Sequence, residues 1–171
     1  MNHERHMLAS APLRHPTLRT LLLAAPVIFI AHFTEEGPDF VAWFNAHVSR
    51  GITEPRFWSV NYTALAITGA VVVLEWLGGS TLSAAVAVMW LSLLMFGNAL
   101  FHVAGAIVDR AYMPGLVTAL LLYLPFYAWL VVRVVQLRRL PRGAVVAAAT
   151  IGALPMLVHG YLIVFRGSRL F

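Results

Sequence analysis

The sequence predicts an all-α fold: a polytopic membrane helix bundle with five transmembrane helices and a short interfacial helix after the first. Of the 171 residues, 60% are hydrophobic and only 11% are charged, whereas soluble domains are roughly 25% charged. The mean hydropathy is +0.80. The apolar residues form continuous runs rather than alternating with polar ones, which favours membrane helices over the strands of a membrane barrel.

Five apolar stretches are each long enough to cross a hydrocarbon core of about 30 Å, which takes about 20 helical residues. They cover residues 18–37, 57–77, 81–108, 113–135 and 143–165. Residues 1–17 are predicted to be an exposed basic tail. Short connections join most of the stretches, so residues 18–171 are predicted to form a single transmembrane helical domain.

The connection between the first two stretches is the longest, and it predicts the interfacial helix. Its segment PDFVAWFNAHV places bulky apolar side chains beside Asp39, Asn45 and His47. That mixture is typical of a short amphipathic helix lying at a membrane surface. We therefore expect His47 at the interface rather than inside the bundle.

Charge and composition exclude several classes of function. The chain has no Cys, so disulfides, thiolate ligands and cysteine nucleophiles are excluded. Its basic residues are all Arg and lie at the ends of the apolar stretches, which indicates membrane flanks rather than a nucleic-acid surface. Seven arginines fall on the side of the N-terminus and five on the other side. This bias predicts an integral protein of the cytoplasmic membrane with a cytoplasmic N-terminus.

The first stretch ends in HFTEE, which concentrates ionisable groups where charge is costly. Polar groups within membrane spans usually face the bundle interior and often mark function. His32, Glu35 and Glu36 are three and four residues apart, so they share one helix face. Gly37 and Pro38 end the helix, and carboxylates there meet the negative end of its macrodipole. A cation or bound protons would stabilise this arrangement.

Two more histidines are predicted to lie at the same depth. His102 and His159 come late in the third and fifth stretches, and odd-numbered helices all run in the same direction. Asn98 shares a helix face with His102 because it lies four residues before it. Polar residues from the start of the even-numbered helices reach this layer as well; they are Asn61, Tyr62, Tyr112 and Tyr123.

Three motifs occur in order along the chain: HFTEE at residues 32–36, NALFH at 98–102 and YMPG at 112–115. In these motifs the chain resembles the HXXEE family of small prokaryotic integral membrane proteins, and the resemblance spans nearly the whole chain. The family has no established activity. The resemblance therefore implies a prokaryotic membrane protein and supports the choice of residues, while it leaves the reaction open.

We expect a divalent metal at this layer, with zinc first and iron or manganese as alternatives. The candidate ligands are His32, Glu35, Glu36, His102 and His159. Asn98, Asn61, Tyr62 and Tyr112 are expected around them as orienting partners. Two other readings stay open: a hydrogen-bonded network that fixes helix packing, and a proton or ion path. Pro114 and Gly115 are interpreted as a turn into the fourth helix.

The leading functional hypothesis is an intramembrane metal-dependent hydrolase or isomerase whose site lies near the outer leaflet. Whichever of Glu35 and Glu36 is not a ligand would act as general base. The expected partners are membrane lipids and a lipid-like or apolar substrate, and a homo-oligomer stays open. The alternatives are a proton or metal-ion transporter and a noncatalytic accessory protein. Glu75, at the opposite depth, is predicted to pair with Arg133 or to extend a proton route.

Overall fold

A computed structural model describes residues 16–48 and 51–166, and every regular element within these ranges is helical. Most of the predicted tail, including His3, His6 and His15, lies outside the described residues. Five helical segments are long and apolar enough to cross a membrane, and we call them spans 1 to 5. Their bounds are Leu18–Glu36, Glu54–Gly78, Thr81–Asp109, Leu116–Gln136 and Arg142–Arg166. The predicted all-α bundle of five spans is thus confirmed.

Spans 1, 2 and 5 consist of α-helix alone, with one interruption. Span 1 divides into α1 (Leu18–Leu22) and α2 (Ala24–Glu36), because Pro26 has no N–H to donate to the carbonyl four residues earlier. The short helix α3 (Phe40–His47) follows, where the sequence predicts one. Span 2 is α4 (Glu54–Gly78).

Spans 3 and 4 each contain a π-helical turn. Span 3 runs through α5 (Thr81–Leu91), π1 (Ser92–Gly97) and α6 (Asn98–Asp109). Span 4 runs through α7 (Leu116–Thr118), π2 (Ala119–Tyr123) and α8 (Leu124–Gln136). Pro125 lies two residues after the end of π2 and cannot donate to a carbonyl in the turn before it. Such π-turns are frequent at functional sites, and these two adjoin candidate site residues.

Span 3 lies at the centre of the bundle, and span 5, formed by α9 (Arg142–Arg166), packs closely against it. A Cβ atom at Gly152 would lie only 2.0 Å from the carbonyl oxygen of Met89, so this close approach requires glycine. Span 2 also packs on span 3. Within the described residues, spans 2 and 5 make at most marginal contact with each other. Both spans contribute side chains to the lining of one cavity, so a gap separates them on that side of the bundle.

The short helix α3 is anchored over one end of the bundle. Its Phe44 is buried with Phe101 and Ile163, from spans 3 and 5. The indole N–H of Trp43 donates to Asp109 at 2.7 Å, and the His47 imidazole lies 3.1 Å from the same carboxylate. These contacts hold α3 beside the ends of spans 3 and 5.

Glu75 is buried at the opposite end of the bundle, and its predicted pairing with Arg133 is wrong. Arg139 contacts both Glu75 oxygens, at 2.9 and 3.0 Å, and Ser83 donates a further hydrogen bond. Arg133 donates instead to the carbonyl of Pro16 and the side chain of Gln136. The reason is the chain reversal after span 4: the residue before Arg139 has φ of 52°, which turns Arg139 back onto the bundle.

Candidate metal centre

The structure brings His32, Glu36 and His102 together where span 1 meets span 3. The Nε2 atoms of His32 and His102 lie 3.3 and 3.1 Å from the same Glu36 oxygen, Oε1. The possible ligand atoms of the three side chains all lie within 4.8 Å of one another. All three residues are buried, with 1%, 4% and 0% of their surfaces exposed in chain order. We call them the HEH cluster.

The HEH cluster leaves buried nitrogen atoms without hydrogen bonds. Neither Nε2 atom meets hydrogen-bond geometry with any partner among the described residues, and the same is true of His102 Nδ1. Buried polar atoms are nearly always hydrogen-bonded, so an orphaned one calls for an explanation such as an ion. Two imidazole nitrogens and a carboxylate oxygen converging on one point form a donor set that suits a divalent metal.

Thr118 fixes the His32 ring in the form that a ligand needs. Its Oγ1 lies 2.8 Å from His32 Nδ1 and donates its own proton to the carbonyl of Gly115 at 3.3 Å. With that proton committed, the threonine oxygen accepts from Nδ1–H. In a neutral ring with its proton on Nδ1, the Nε2 atom carries the lone pair, and it is Nε2 that faces the cluster.

Glu35 points away from the HEH cluster, towards the start of span 4. Its carboxylate accepts hydrogen bonds from the Val117 and Thr118 amides, at 3.0 and 2.7 Å, and from the Tyr112 hydroxyl. A helix N-terminus has free N–H groups and favours negative charge. The N-terminus of span 4 thus stabilises the Glu35 carboxylate, which lies at the unfavourable negative end of the span 1 macrodipole. The two neighbouring glutamates have different surroundings, and only Glu36 belongs to the cluster.

Tyr112 lies outside the spans, and its hydroxyl donates to Glu35. Burial, followed by the hydrogen bond to the Glu35 carboxylate and that carboxylate's charge, raises the pKa of Tyr112 to about 12. The phenol therefore stays protonated as a donor throughout the neutral range. Tyr112, one of the predicted orienting residues, thus contacts the HFTEE motif at Glu35 and not at the HEH cluster.

Gly115 lies against all three residues of the HEH cluster. Its φ is +92°, which disfavours any residue with a side chain. A Cβ atom there would lie 2.7 Å from His102 Cε1 and 2.9 Å from both His32 Cε1 and Glu36 Cγ. The sequence-based interpretation of Gly115 as a simple turn residue therefore misses its part in the site. The available signal is its place in YMPG, at the depth of the candidate ligands.

Aromatic rings enclose the histidines of the cluster. The Tyr123 ring centroid lies 4.1 Å from that of His32, and the two histidine rings meet edge to face at 4.9 Å. Phe40 of α3 lies 6.2 Å from the His102 ring. Tyr123 is fully buried, and its hydroxyl has no hydrogen-bond partner among the described residues. The sequence-based reasoning placed Tyr123 at this depth without giving it a role.

A cavity of about 430 Å³ adjoins the cluster, and His32 and Glu36 form part of its wall. This volume falls within the roughly 300–1,000 Å³ of small-molecule sites. Apolar side chains from spans 1, 2, 3 and 5 supply most of the lining. The cavity places the candidate ligands beside a space that an apolar molecule could occupy.

Several predicted residues line this cavity without joining the HEH cluster. His159 and Asn61 do so, and so does Asn98, whose Oδ1 is buried without a partner among the described residues. His159 lies outside the group of possible ligands. Tyr62 is 57% exposed and does not line the cavity, so the structure does not bring it to the site.

More than half of the chain matches a known protein family. Residues 23–130 match the model of a protein family described as "Protein of unknown function with HXXEE motif". The matched range contains the HEH cluster, Gly115 and Thr118. Neither a curated protein nor a solved structure matches the chain.

Proposed function

The chain belongs to the HXXEE family, and from the site that this motif builds we propose that it is an intramembrane metal-dependent enzyme of the hydrolase or isomerase type. Its substrate is a lipid or an apolar small molecule that reaches the site from the outer half of the bilayer. The observation that carries the proposal is the convergence of His32 Nε2, His102 Nε2 and Glu36 Oε1 in a buried position where the nitrogens lack hydrogen bonds.

The donor set supports a catalytic rather than a purely structural metal. Three protein ligands leave an open position, as in catalytic zinc sites, whereas structural zinc sites use four. Two imidazoles and one carboxylate also suit iron, and manganese is a further alternative. When bound, such a metal lowers the pKa of a coordinated water to about 7 or polarises a carbonyl group.

The chain's own residues supply the positioning of the ligands, the proton transfer and the contact with the substrate. Glu35 positions Thr118, and Thr118 holds the His32 ring so that Nε2 faces the cluster. Since the Glu35 carboxylate already accepts three hydrogen bonds, it acts as a positioning group rather than as the general base. His159 lines the cavity beside the cluster and is the group we assign to proton transfer. Asn98 offers its amide to a polar group of the substrate.

The alternatives receive less support from the contacts. A packing network would satisfy its own polar atoms, yet both Nε2 atoms and the Tyr123 hydroxyl lack hydrogen-bond partners among the described residues. A transport path continuing through Glu75 would need that carboxylate to be available. Arg139 holds both of its oxygens, and Ser83 donates to one of them, so Glu75 is better explained as a structural anchor.

Metal content of purified protein tests the proposal. The protein carries no histidine tag, and His3, His6 and His15 are replaced by alanine so that the tail cannot bind metal. We expect one equivalent of metal in this parent and its loss in His102→Ala. His47→Ala is the matched control, because it also removes a histidine but one paired with Asp109; it should retain the metal.

His159→Ala separates binding from chemistry. Because His159 lies outside the HEH cluster, this variant should keep the metal. It should no longer convert lipid substrates, and mass spectrometry of lipid extracts measures that conversion. Folded parent protein without metal, or His102→Ala protein that keeps it, would overturn the proposal. Ion flux in proteoliposomes without any lipid conversion would favour the transporter instead.

A further inference from the structure

A groove runs along the outer side of span 2 and joins the cavity beside the HEH cluster. It is lined by Trp90 of span 3 and by six residues of span 2: Arg56, Ser59, Val60, Thr63, Ala64 and Ile67. Four of these residues also line the cavity: Arg56, Val60, Ala64 and Trp90. The groove and the cavity therefore share a wall, and the groove opens to the exterior of the bundle.

The groove matches one leaflet of a membrane in length. From Arg56 to Ile67 the helix advances eleven residues, or about 16 Å at about 1.5 Å per residue. Half of a hydrocarbon core is about 15 Å. The polar end of the groove, at Arg56, lies near the start of span 2. The apolar end, at Ile67 and Trp90, lies near the middle of the spans. A lipid in that leaflet has the same direction, with its headgroup outward and its chain inward.

Arg56 is a cation without a counterion among the described residues. It is exposed and makes no ion pair with any described residue, including Glu54 two positions before it. A guanidinium group beside apolar walls recognises a carboxylate or phosphate through paired hydrogen bonds. Of the described arginines, Arg56 is the one that lines the cavity.

We propose that this groove binds a lipid with an anionic headgroup, a carboxylate or a phosphate, which pairs with Arg56 while its acyl chain follows span 2. The gap between spans 2 and 5 then admits the lipid into the cavity, where its headgroup end reaches the HEH cluster. This inference rests on the proposed function in naming the substrate class, but the binding step itself requires no metal.

Photolabelling in lipid nanodiscs tests the inference. Full-length protein, treated with a chelator, is placed in phosphatidylcholine nanodiscs with a fatty acid that carries a diazirine in its chain. A lysophosphatidic acid with the same photoreactive chain forms a second arm, and a neutral monoacylglycerol forms the third. We expect saturable labelling by the anionic probes at peptides containing Ala64, Ile67 or Trp90. The stronger of the two anionic arms identifies the headgroup.

Two pairs of variants locate the contacts. Arg56→Gln should weaken labelling about fivefold, the size expected for an exposed charge pair of about 1 kcal/mol, and Arg56→Lys should retain part of it. Arg166→Gln removes an arginine from the same end of the bundle but outside the groove, so labelling should not change. Ala64→Phe fills the groove and should block labelling, whereas Ala147→Phe places the same ring on an exposed face of span 5, outside the groove, and should not.

The outcomes separate this inference from the proposed function. Equal labelling by the neutral probe, or equal effects of Arg56→Gln and Arg166→Gln, would overturn the lipid site. Arg56-dependent labelling in a protein that never binds metal would leave the lipid site standing and refute the metalloenzyme. A protein that binds metal but takes up no anionic probe would refute the lipid site alone.

Discussion

Replacing Gly115 with alanine should weaken metal binding strongly while the bundle stays folded. The added Cβ atom would lie 2.7 Å from His102 Cε1 and 2.9 Å from His32 Cε1 and Glu36 Cγ. Ordinary carbon contacts are about 3.5–4.0 Å, so each ligand must retreat by about 0.6–0.8 Å. A functional site tolerates displacements of about 0.5 Å. We therefore expect the metal affinity to fall by about 100-fold, the upper end for perturbed ligand surroundings.

The same substitution also lowers stability by an amount that the structure allows us to bound. A left-handed backbone costs a residue with a side chain about 1–2 kcal/mol, and overpacking of a buried site costs about 1–3 kcal/mol. Together they predict a loss of about 2–5 kcal/mol in the free energy of unfolding. Titration against a competing chelator measures the metal affinity, and thermal unfolding in detergent measures the stability.

Gly79→Ala is the matched control for this experiment. Gly79 also has positive φ, +52°, but it lies at the opposite end of the bundle. The atoms nearest to a Cβ there belong to the guanidinium end of Arg19, which is flexible enough to move. This variant should be destabilised by its backbone and keep the parent's metal affinity. If Gly115→Ala binds metal as tightly as Gly79→Ala does, the metal site does not depend on the packing of the HEH cluster against Gly115.

Three further predictions concern the surroundings of the site and the far end of the bundle. Thr118→Val removes the acceptor for His32 Nδ1–H and should lower metal affinity about 10–100-fold, and Thr118→Ser should restore it in the same chelator titration. Because the pKa of Tyr112 is raised to about 12, its neutral hydrogen bond should survive through the ordinary tyrosine pKa of about 10. It should be lost only as the pH rises through about 12, and Tyr112→Phe should remove one tyrosine's share of the late tyrosinate transition in ultraviolet difference spectra. Glu75→Gln leaves Arg139 without its counterion and should lower the free energy of unfolding by about 3 kcal/mol. The metal content should not change, because Glu75 and the HEH cluster lie at opposite ends of the bundle. Loss of metal in this variant would contradict that independence.

The spans could be predicted from the sequence because length and continuous apolar character suffice to define them. Their ends are also marked locally: the Thr53 side chain caps the start of span 2, and Ser80 and Ser83 form a capping box at the start of span 3. The depth of each polar residue in the membrane could be predicted because successive helices run in opposite directions. That reasoning placed His32 and His102 in one layer before any contact was known.

The rotation of each span could not be predicted in the same way. Glu35 and Glu36 are neighbours, about 100° apart around an α-helix, and only the packing of span 4 decides which one meets the histidines. The π-turns π1 and π2 each add residues to a turn, which shifts the faces of spans 3 and 4 beyond them. Periodicity counted at 3.6 residues therefore misplaces the side chains that follow.

Two other features depend on backbone conformations that the sequence did not signal. The turn after span 4 places a non-glycine residue, Arg138, at positive φ, and this turn delivers Arg139 to Glu75 in place of the expected Arg133. Gly115 was visible in the YMPG motif, but glycines before helices are common turn residues. Its contact with all three members of the HEH cluster emerges only when spans 1, 3 and 4 are assembled.

X-ray absorption spectroscopy of the zinc-loaded protein tests the central claim most directly, since it reports the atoms bound to the metal. The protein again carries alanine at His3, His6 and His15. The HEH cluster predicts two imidazole nitrogens at about 2.0–2.1 Å with oxygen completing the shell, and one imidazole in His102→Ala. A shell of oxygen atoms without imidazole, or a spectrum that His102→Ala leaves unchanged, would contradict a metal held by His32, Glu36 and His102.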